Sequence, residues 1–404
     1  MTTLDVSAAD VRLAAERIAS GIVRTPSVRS RTLSDAAGAD VILKIETRQT
    51  TGSYKERGAL NAMLALAPEQ RARGIVTMSA GNHGQAVAYH GARLGLRTTV
   101  VMPETTPLLK VRRTRDFGAE VVLAGATFAD AAAHARELAA TAGATLVHPY
   151  DDPQVIAGQA TATLELLEDA GDLDVILVPV GGGGLIAGAA LAIAAYGSRA
   201  ELFGVQSALY PSVGAALDER PVAGGPTIAE GIAVTRVGTL NESLIREHVR
   251  GTLLVSEAAI ETAIATLLED EKLVVEGAGA AGVAALQSDP ERFAGKRVGT
   301  LLCGGNIDLG MLAAVIVRHR MRSGRVVRIR VHMVDKPGEL ASVATALADA
   351  RANVLDVAHH RVFGSLSAKH AELDLTVEIE RSDDLPAILA RLAEIGFDAE
   401  LVRE

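Results

Sequence analysis

The chain has 404 residues, 49% of them apolar, and a formal net charge of −9. That length allows two or three domains around a large core. The negative charge, with no basic stripe carrying interleaved aromatics, argues against nucleic acid, and no apolar run reaches the ~18 residues of a membrane span.

The opening MTTLDVSAADVRLAAERIAS reads as a capped amphipathic helix. It does not read as a signal peptide, because charges break any apolar core, so a cytoplasmic location is expected. Short β-branched runs then alternate with alanine-rich helical stretches. Strands are expected at 41–45, 75–79, 98–102, 120–124, 144–148, 174–180, 201–206, 252–255 and 297–303. Strand–helix alternation over some 300 residues means an α/β protein with mainly parallel sheet, and the runs are apolar throughout, as in strands covered by helices on both faces. After a helix at 308–324 the pattern changes. The segment 325-RVVRIRVHMV-334 alternates like a half-exposed strand. A turn 335-DKPG-338 follows, then a helix to 349, strands at 353–363 and 370–380, a helix at 384–395 and a strand at 398–402. That is βαββαβ, a separate ferredoxin-like module over 325–404.

Four short stretches carry the chemistry. In 51-TGSYKERGALNAM-63, Lys55 opens a helix after a cap and turn made by Thr51, Gly52 and Ser53. A cation there opposes the helix dipole, so it does not serve helix stability, and a lysine brought near neutrality forms Schiff bases with carbonyls. In 79-SAGNHGQ-85, a strand end turns into a helix start whose N–H groups form an anion site, with the Asn82 amide beside it. In 178-VPVGGGGLIAG-188, the glycines let backbone N–H groups approach a phosphate. The spacing also fits a loose dinucleotide fingerprint, but the next strand ends in Gln206 where that reading needs an acid. In 300-TLLCGGNID-308, the single cysteine, Cys303, ends an apolar strand as a neutral polar group or as plain core. One cysteine leaves no internal disulfide or multi-cysteine zinc site, and no histidine spacing suggests a metal. An amine, an anion turn, a phosphate cradle and a neutral partner suit one cofactor with an aldehyde, a phosphate and a ring nitrogen, which is pyridoxal 5'-phosphate.

The motifs TGSYKERGA, SAGNHGQ, VGGGGL, KLVVEGAGAAG and LLCGGN stand in the order found in fold-type II pyridoxal-phosphate enzymes. The first ~320 residues resemble the serine/threonine dehydratase family, which includes threonine ammonia-lyases and serine racemases, and the segment around DKPGEL resembles an ACT domain. The resemblance implies two parallel-sheet α/β subdomains, like the β chain of tryptophan synthase, in a catalytic domain at 1–324. The smaller subdomain would be inserted at roughly 45–150, and an ACT regulatory domain would occupy 325–404. It implies that Lys55 holds the cofactor and acts as catalytic base. Gly181, Gly182, Gly183, Gly184 and Leu185 would bind the phosphate, Asn82 the ring hydroxyl, and Cys303 would face the ring nitrogen. Ser79, Gly81, Asn82 and His83 would hold the substrate carboxylate, while Tyr54 and Glu276 would lie near the ring. Gly338 and Asn353 would meet an amino-acid effector.

The activity implied is deamination by β-elimination of water, converting L-threonine to 2-oxobutanoate and ammonia and L-serine to pyruvate and ammonia, in isoleucine biosynthesis or threonine catabolism. A homo-oligomer, dimer or tetramer, goes with it. Ala80 stands where a racemase relative has a serine, and Gln206 where its metal site has an acid; both favour elimination over racemisation. A related serine dehydratase or racemase, a hydroxyaspartate dehydratase, and a non-catalytic amino-acid sensor are the alternatives.

Overall fold

The computed structural model describes residues 6–217, 222, 224–361 and 369–402. The chain divides after Ile307 into two compact units. The first opens with a helix at Ala8–Ile18, capped by Ser7 with Asp10 reaching back to it, as its sequence foretells.

Among the described residues of that unit, ten strands follow: β1 (Ser27–Ser30), β2 (Asp40–Lys44), β3 (Ile75–Met78), β4 (Thr98–Met102), β5 (Glu120–Leu123), β6 (Thr145–Leu146), β7 (Val175–Pro179), β8 (Glu201–Ser207), β9 (Gly251–Val255) and β10 (Arg297–Leu301). They build two sheets. The larger runs β1-β2-β10-β7-β8-β9 and the smaller β5-β4-β3-β6. Each pairing between these strands is parallel except β1 with β2. The strands β4 and β7 are buried along their whole length, which explains their unbroken apolar sequences. The β1 strand, SVRS, was not foreseen: it is short, mostly solvent-facing and has no apolar run.

Around the larger sheet the helices Pro153–Ala170 and Gly184–Tyr196 pack Ile156, Ala160 and Leu164 against Ala187 and Leu191. A Cβ at Gly188 would lie 2.8 Å from the Ala160 nitrogen, so glycine there sets how closely the two helices approach. The helix Lys55–Leu64 is fixed differently. Its Arg57, fully buried, donates to Glu46 at 2.8 Å and to both oxygens of Glu165 at 2.8 Å. Lys44, also fully buried, donates to Glu165 at 2.8 Å and to the Thr25 carbonyl at 2.6 Å. Burial pulls the Lys44 pKa down, against the pull of Glu165. Burial likewise pushes Glu46 up, but Arg57 outweighs it and holds the carboxyl below its usual range.

The second unit begins with a helix at Leu309–Arg322, followed by β11 (Val326–Val334), a helix at Glu339–Asp349, β12 (Asn353–His360), β13 (His370–Glu378), a helix at Leu385–Glu394 and β14 (Asp398–Leu401). Its sheet is antiparallel in the order β12-β13-β11-β14, the ferredoxin-like arrangement expected. The helix Leu309–Arg322, before β11, belongs to this unit, and its Leu312 and Val315 are buried. Alternate residues of β11 and β13, Ile329, Val331, Leu373 and Leu375, form the core with Val343, Leu347 and Leu392. The strand expected at 353–363 stops at His360; positions 362 and 363 lie outside the described residues.

Candidate active site

The lysine singled out by sequence is the first residue of the helix Lys55–Leu64. The turn before it is pinned by backbone. Ser53 pairs with Gly304 in an isolated antiparallel bridge, Tyr54 N–H donates to the Cys303 carbonyl at 3.0 Å, and Gly305 N–H donates to the Gly52 carbonyl at 2.9 Å. Lys55 and Cys303 are thereby brought side by side from positions 248 residues apart. These bonds also correct the expected cap. The cap position is Tyr54, in helical conformation, and the Ser53 side chain caps nothing: its buried hydroxyl has no partner, and only its carbonyl reaches the helix start, accepting Glu56 N–H at 3.5 Å. The turn itself is as expected, with Gly52 at φ +73°.

Lys55 Nζ donates to the Pro149 carbonyl at 2.8 Å and lies 5.1 Å from the centre of the Tyr54 ring. Loss of water around the amine lowers its pKa to about 8, although Cys303 and Glu276 pull the other way. At pH 7 roughly a tenth of the amine is then uncharged and nucleophilic, far more than for an ordinary lysine.

The glycine run leaves β7 and enters the helix Gly184–Tyr196. Gly183, at φ +94°, is the turning point, and a Cβ there would stand 2.8 Å from Val237. A Cβ on Gly182 would collide with the Tyr150 ring. The Gly181 carbonyl accepts from the Ser212 hydroxyl at 3.4 Å, and the Gly182 carbonyl accepts from Gly238 N–H at 3.0 Å and Asn241 Nδ2 at 2.9 Å. The amides of Gly184 and Leu185 open a helix and have no partner within it. The loop thus offers several N–H groups to an anion.

The anion turn after β3 is organised by side chains. Ser79 commits its N–H to the Val101 carbonyl at 3.1 Å, so it contributes a hydroxyl rather than an amide; that hydroxyl accepts Gly81 N–H at 3.2 Å. His83 is buried with Nε2 3.3 Å from the Val147 carbonyl and Nδ1 without a partner. Burial, with Lys55 nearby, drives its pKa well below normal, so the ring is neutral. Asn82 donates to Glu276 Oε1 at 2.7 Å and accepts from Asn306 at 2.8 Å. Burial raises the Glu276 pKa to about 7, with the Asn82 hydrogen bond opposing the rise. Burial likewise pushes the Cys303 thiol and the Tyr54 phenol up, so both are uncharged. Asn306 also lines a neighbouring cavity of about 660 Å³ with Thr51, Gln85 and Arg113, which includes neither Lys55 nor the glycine run.

Lys55, Tyr54, Asn82, Glu276 and Cys303 thus form one cluster, and the glycine run joins it through 148-HPYDD-152. That loop was missed in the sequence. Pro149 holds the Lys55 amine, the Tyr150 ring lies under Gly182, and Asp151 accepts from Thr239 and Leu240 N–H at 3.0 Å each. Its only sequence signal is Asp152 before Pro153, which caps the next helix. Gly338 and Asn353 lie in the second unit. Gly338, at φ +98°, precedes the helix Glu339–Asp349 and borders open space, while Asn353 donates to Glu378 at 3.2 Å.

The family model for pyridoxal-phosphate dependent enzymes matches residues 18–304, and that for the ACT domain matches 327–397. The chain belongs to the pyridoxal-phosphate dependent enzymes. An L-threonine ammonia-lyase of Thermotoga maritima is 39% identical over 396 residues, 97% of this enzyme and 98% of the relative. The catabolic L-threonine dehydratase TdcB of Escherichia coli K12 is 39% identical over 77% of the enzyme and 96% of the relative. Among solved structures, the T.th. threonine deaminase matches 75% of the enzyme and 99% of that chain, with TM-score 0.71 and 40% identity. Serine racemase from Dictyostelium discoideum matches the same shares with TM-score 0.71 and 35% identity.

The residues present fit the cofactor. Its aldehyde needs a reactive amine, its phosphate a cradle of N–H groups, and its ring uncharged polar neighbours. The crevice has all three, and the buried hydroxyls of Thr51 and Ser53 and the His83 Nδ1 atom are left without partners. A lowered lysine pKa gives a testable pH dependence. Capture of pyridoxal phosphate by the apoenzyme, followed by absorbance, should speed up with pH and level off near pH 8. A rate still rising through about pH 10 would assign the capture to an ordinary lysine.

Proposed function

We propose that the enzyme eliminates the β-hydroxyl of L-threonine as water and that hydrolysis of the resulting enamine, after tautomerisation, returns that water and releases 2-oxobutanoate and ammonia; L-serine gives pyruvate and ammonia likewise. The observation that carries this is the full-length likeness to L-threonine ammonia-lyases, spanning the crevice and the C-terminal module together. When bound, the cofactor supplies an electron sink that acidifies the substrate's Cα–H bond. Lys55 holds it and takes the Cα proton through Nζ. The amides of Gly182 to Leu185 hold its phosphate. Ser79, Gly81, Asn82 and His83 orient the substrate carboxylate by the Ser79 hydroxyl and the amides at the helix start. Asn82, held between Glu276 and Asn306, would give its second amide hydrogen to the cofactor's phenolic oxygen. Tyr54 and the neutral Cys303 thiol border the ring. A thiol without charge does not stabilise a protonated ring nitrogen as a carboxylate would. With the cofactor bound, such a neutral neighbour would favour loss of the β-hydroxyl over transamination.

Ala80 offers no acid or base on the far side of Cα. Racemisation should therefore be slow. Chiral analysis of L-serine incubated with the enzyme should find pyruvate and little D-serine. D-serine forming as fast as pyruvate would favour the racemase alternative.

In this reading residues 1–324 are catalytic, with a smaller subdomain at roughly 45–150, and 325–404 are regulatory. The enzyme works in the cytoplasm as a homo-oligomer; Leu108, 82% exposed, is among the apolar side chains a second copy would cover. The module binds an amino acid such as isoleucine or valine near Gly338, where the amides at the start of the helix Glu339–Asp349 suit a carboxylate; Asn353 pairs with Glu378 at the opposite end of the sheet, so it would meet that ligand's polar end only across an interface with another copy of the module. Steady-state rates on L-threonine should change when isoleucine or valine is added, and Gly338→Ala should blunt the change. Unaltered rates and no heat of binding with either amino acid would leave the module a structural one.

A further inference from the structure

The glycine run presents its amides only if its carbonyls are turned the other way. A trans peptide is planar, with C=O and the following N–H pointing in opposite directions. Whatever holds the carbonyls of Gly181 and Gly182 therefore aims the N–H groups of Gly182 and Gly183. The Gly181 carbonyl faces the Ser212 hydroxyl, which Gln206 Nε2 holds at 2.8 Å. The Gly182 carbonyl faces Asn241. This side chain is fully buried on the helix Thr239–His248, and its Nδ2 donates both to Gly182 and to the Tyr150 carbonyl, at 2.9 Å each. Its own carbonyl oxygen, Oδ1, is buried without a partner. A buried amide that forgoes one hydrogen bond is costly, and it is retained where it sets a geometry that packing alone would not.

We propose that Asn241 is a positioning residue for the cofactor phosphate: it fixes the Gly182–Gly183 peptide with its N–H toward the anion and ties that peptide to the loop holding Lys55. This rests on the phosphate lying in the glycine run. Asn241 touches neither cofactor nor substrate; it acts through the Gly182 carbonyl and through Tyr150, the neighbour of the Pro149 carbonyl that receives the Lys55 amine. The Gly238 N–H also reaches the Gly182 carbonyl, so loss of Asn241 should weaken the cradle rather than abolish it.

The test compares pyridoxal phosphate with pyridoxal, which lacks the phosphate, binding to full-length apoenzyme in absorbance titrations. Asn241→Ala should weaken pyridoxal phosphate about tenfold or more and leave pyridoxal nearly unchanged. Asn241→Asp keeps the shape but replaces the donor with an acceptor, and should weaken the phosphate form further. It also carries the test if the alanine variant does not fold, with circular dichroism as the check on folding. Gly183→Ala, which strains the turn itself, is the control. If it weakens pyridoxal phosphate while both Asn241 variants bind like wild type, Asn241 does not position the cradle. Equal losses for the two ligands in the Asn241 variants would reduce its role to general packing. Unchanged pyridoxal phosphate binding in Gly183→Ala would overturn the placement of the phosphate itself.

Discussion

Lys55→Ala should lower kcat on L-threonine by at least about 10⁴-fold, because one substitution removes both the covalent tether and the proposed base. Neither neighbouring lysine can replace it. Lys44 is held by Glu165 and Thr25 in the core, and Lys110 pairs with Glu230. Lys55→Arg should fail almost as badly: a guanidinium keeps the charge but is not deprotonated near neutral pH and forms no Schiff base. Steady-state kinetics on the purified variants decides the matter, and a variant within about tenfold of wild type would remove Lys55 from both roles.

Arg57→Ala should destabilise the first unit by about 3–5 kcal/mol, the range for a buried ion pair that loses one partner. The substitution leaves Glu46, fully buried, and Glu165 without their shared cation. Glu46 keeps only the Thr25 hydroxyl at 2.5 Å and the Gln49 amide at 3.2 Å. Arg57→Lys keeps a charge but loses the two-pronged geometry, and its stability should fall between those of wild type and Arg57→Ala. Because Arg57 lies in the first turn after Lys55, the loss should also loosen the cofactor. The measurement is the urea midpoint of the holoenzyme; a midpoint equal to wild type would mean the cluster contributes nothing.

Much of the larger architecture was legible from sequence because burial on both strand faces imposes unbroken apolar runs, as in 175-VILVP-179, and because the change to alternation at Val326 marks the antiparallel module. The site was legible where one residue type carries the chemistry. Lys55 at a helix start and glycines after an apolar strand are each anomalous on local grounds. The rest depends on contacts between distant segments, which spacing does not encode. Asn241 is a polar residue in an ordinary helix until Gly182 and Tyr150 are folded onto it. Glu276 looks like a helix-capping acid, yet it makes no side-chain cap and turns to Asn82. Ser53 has the composition of a cap, yet its hydroxyl is buried without a partner while its neighbours Gly52 and Tyr54 bond to Gly305 and Cys303.

Product analysis of the purified enzyme incubated with L-threonine and pyridoxal phosphate tests the central claim most directly. The expected result is 2-oxobutanoate and ammonia released in equal amounts, with L-serine giving pyruvate in a parallel incubation. L-threonine recovered intact while threo-3-hydroxyaspartate is consumed, or while no amino acid yields an oxo acid, would contradict it.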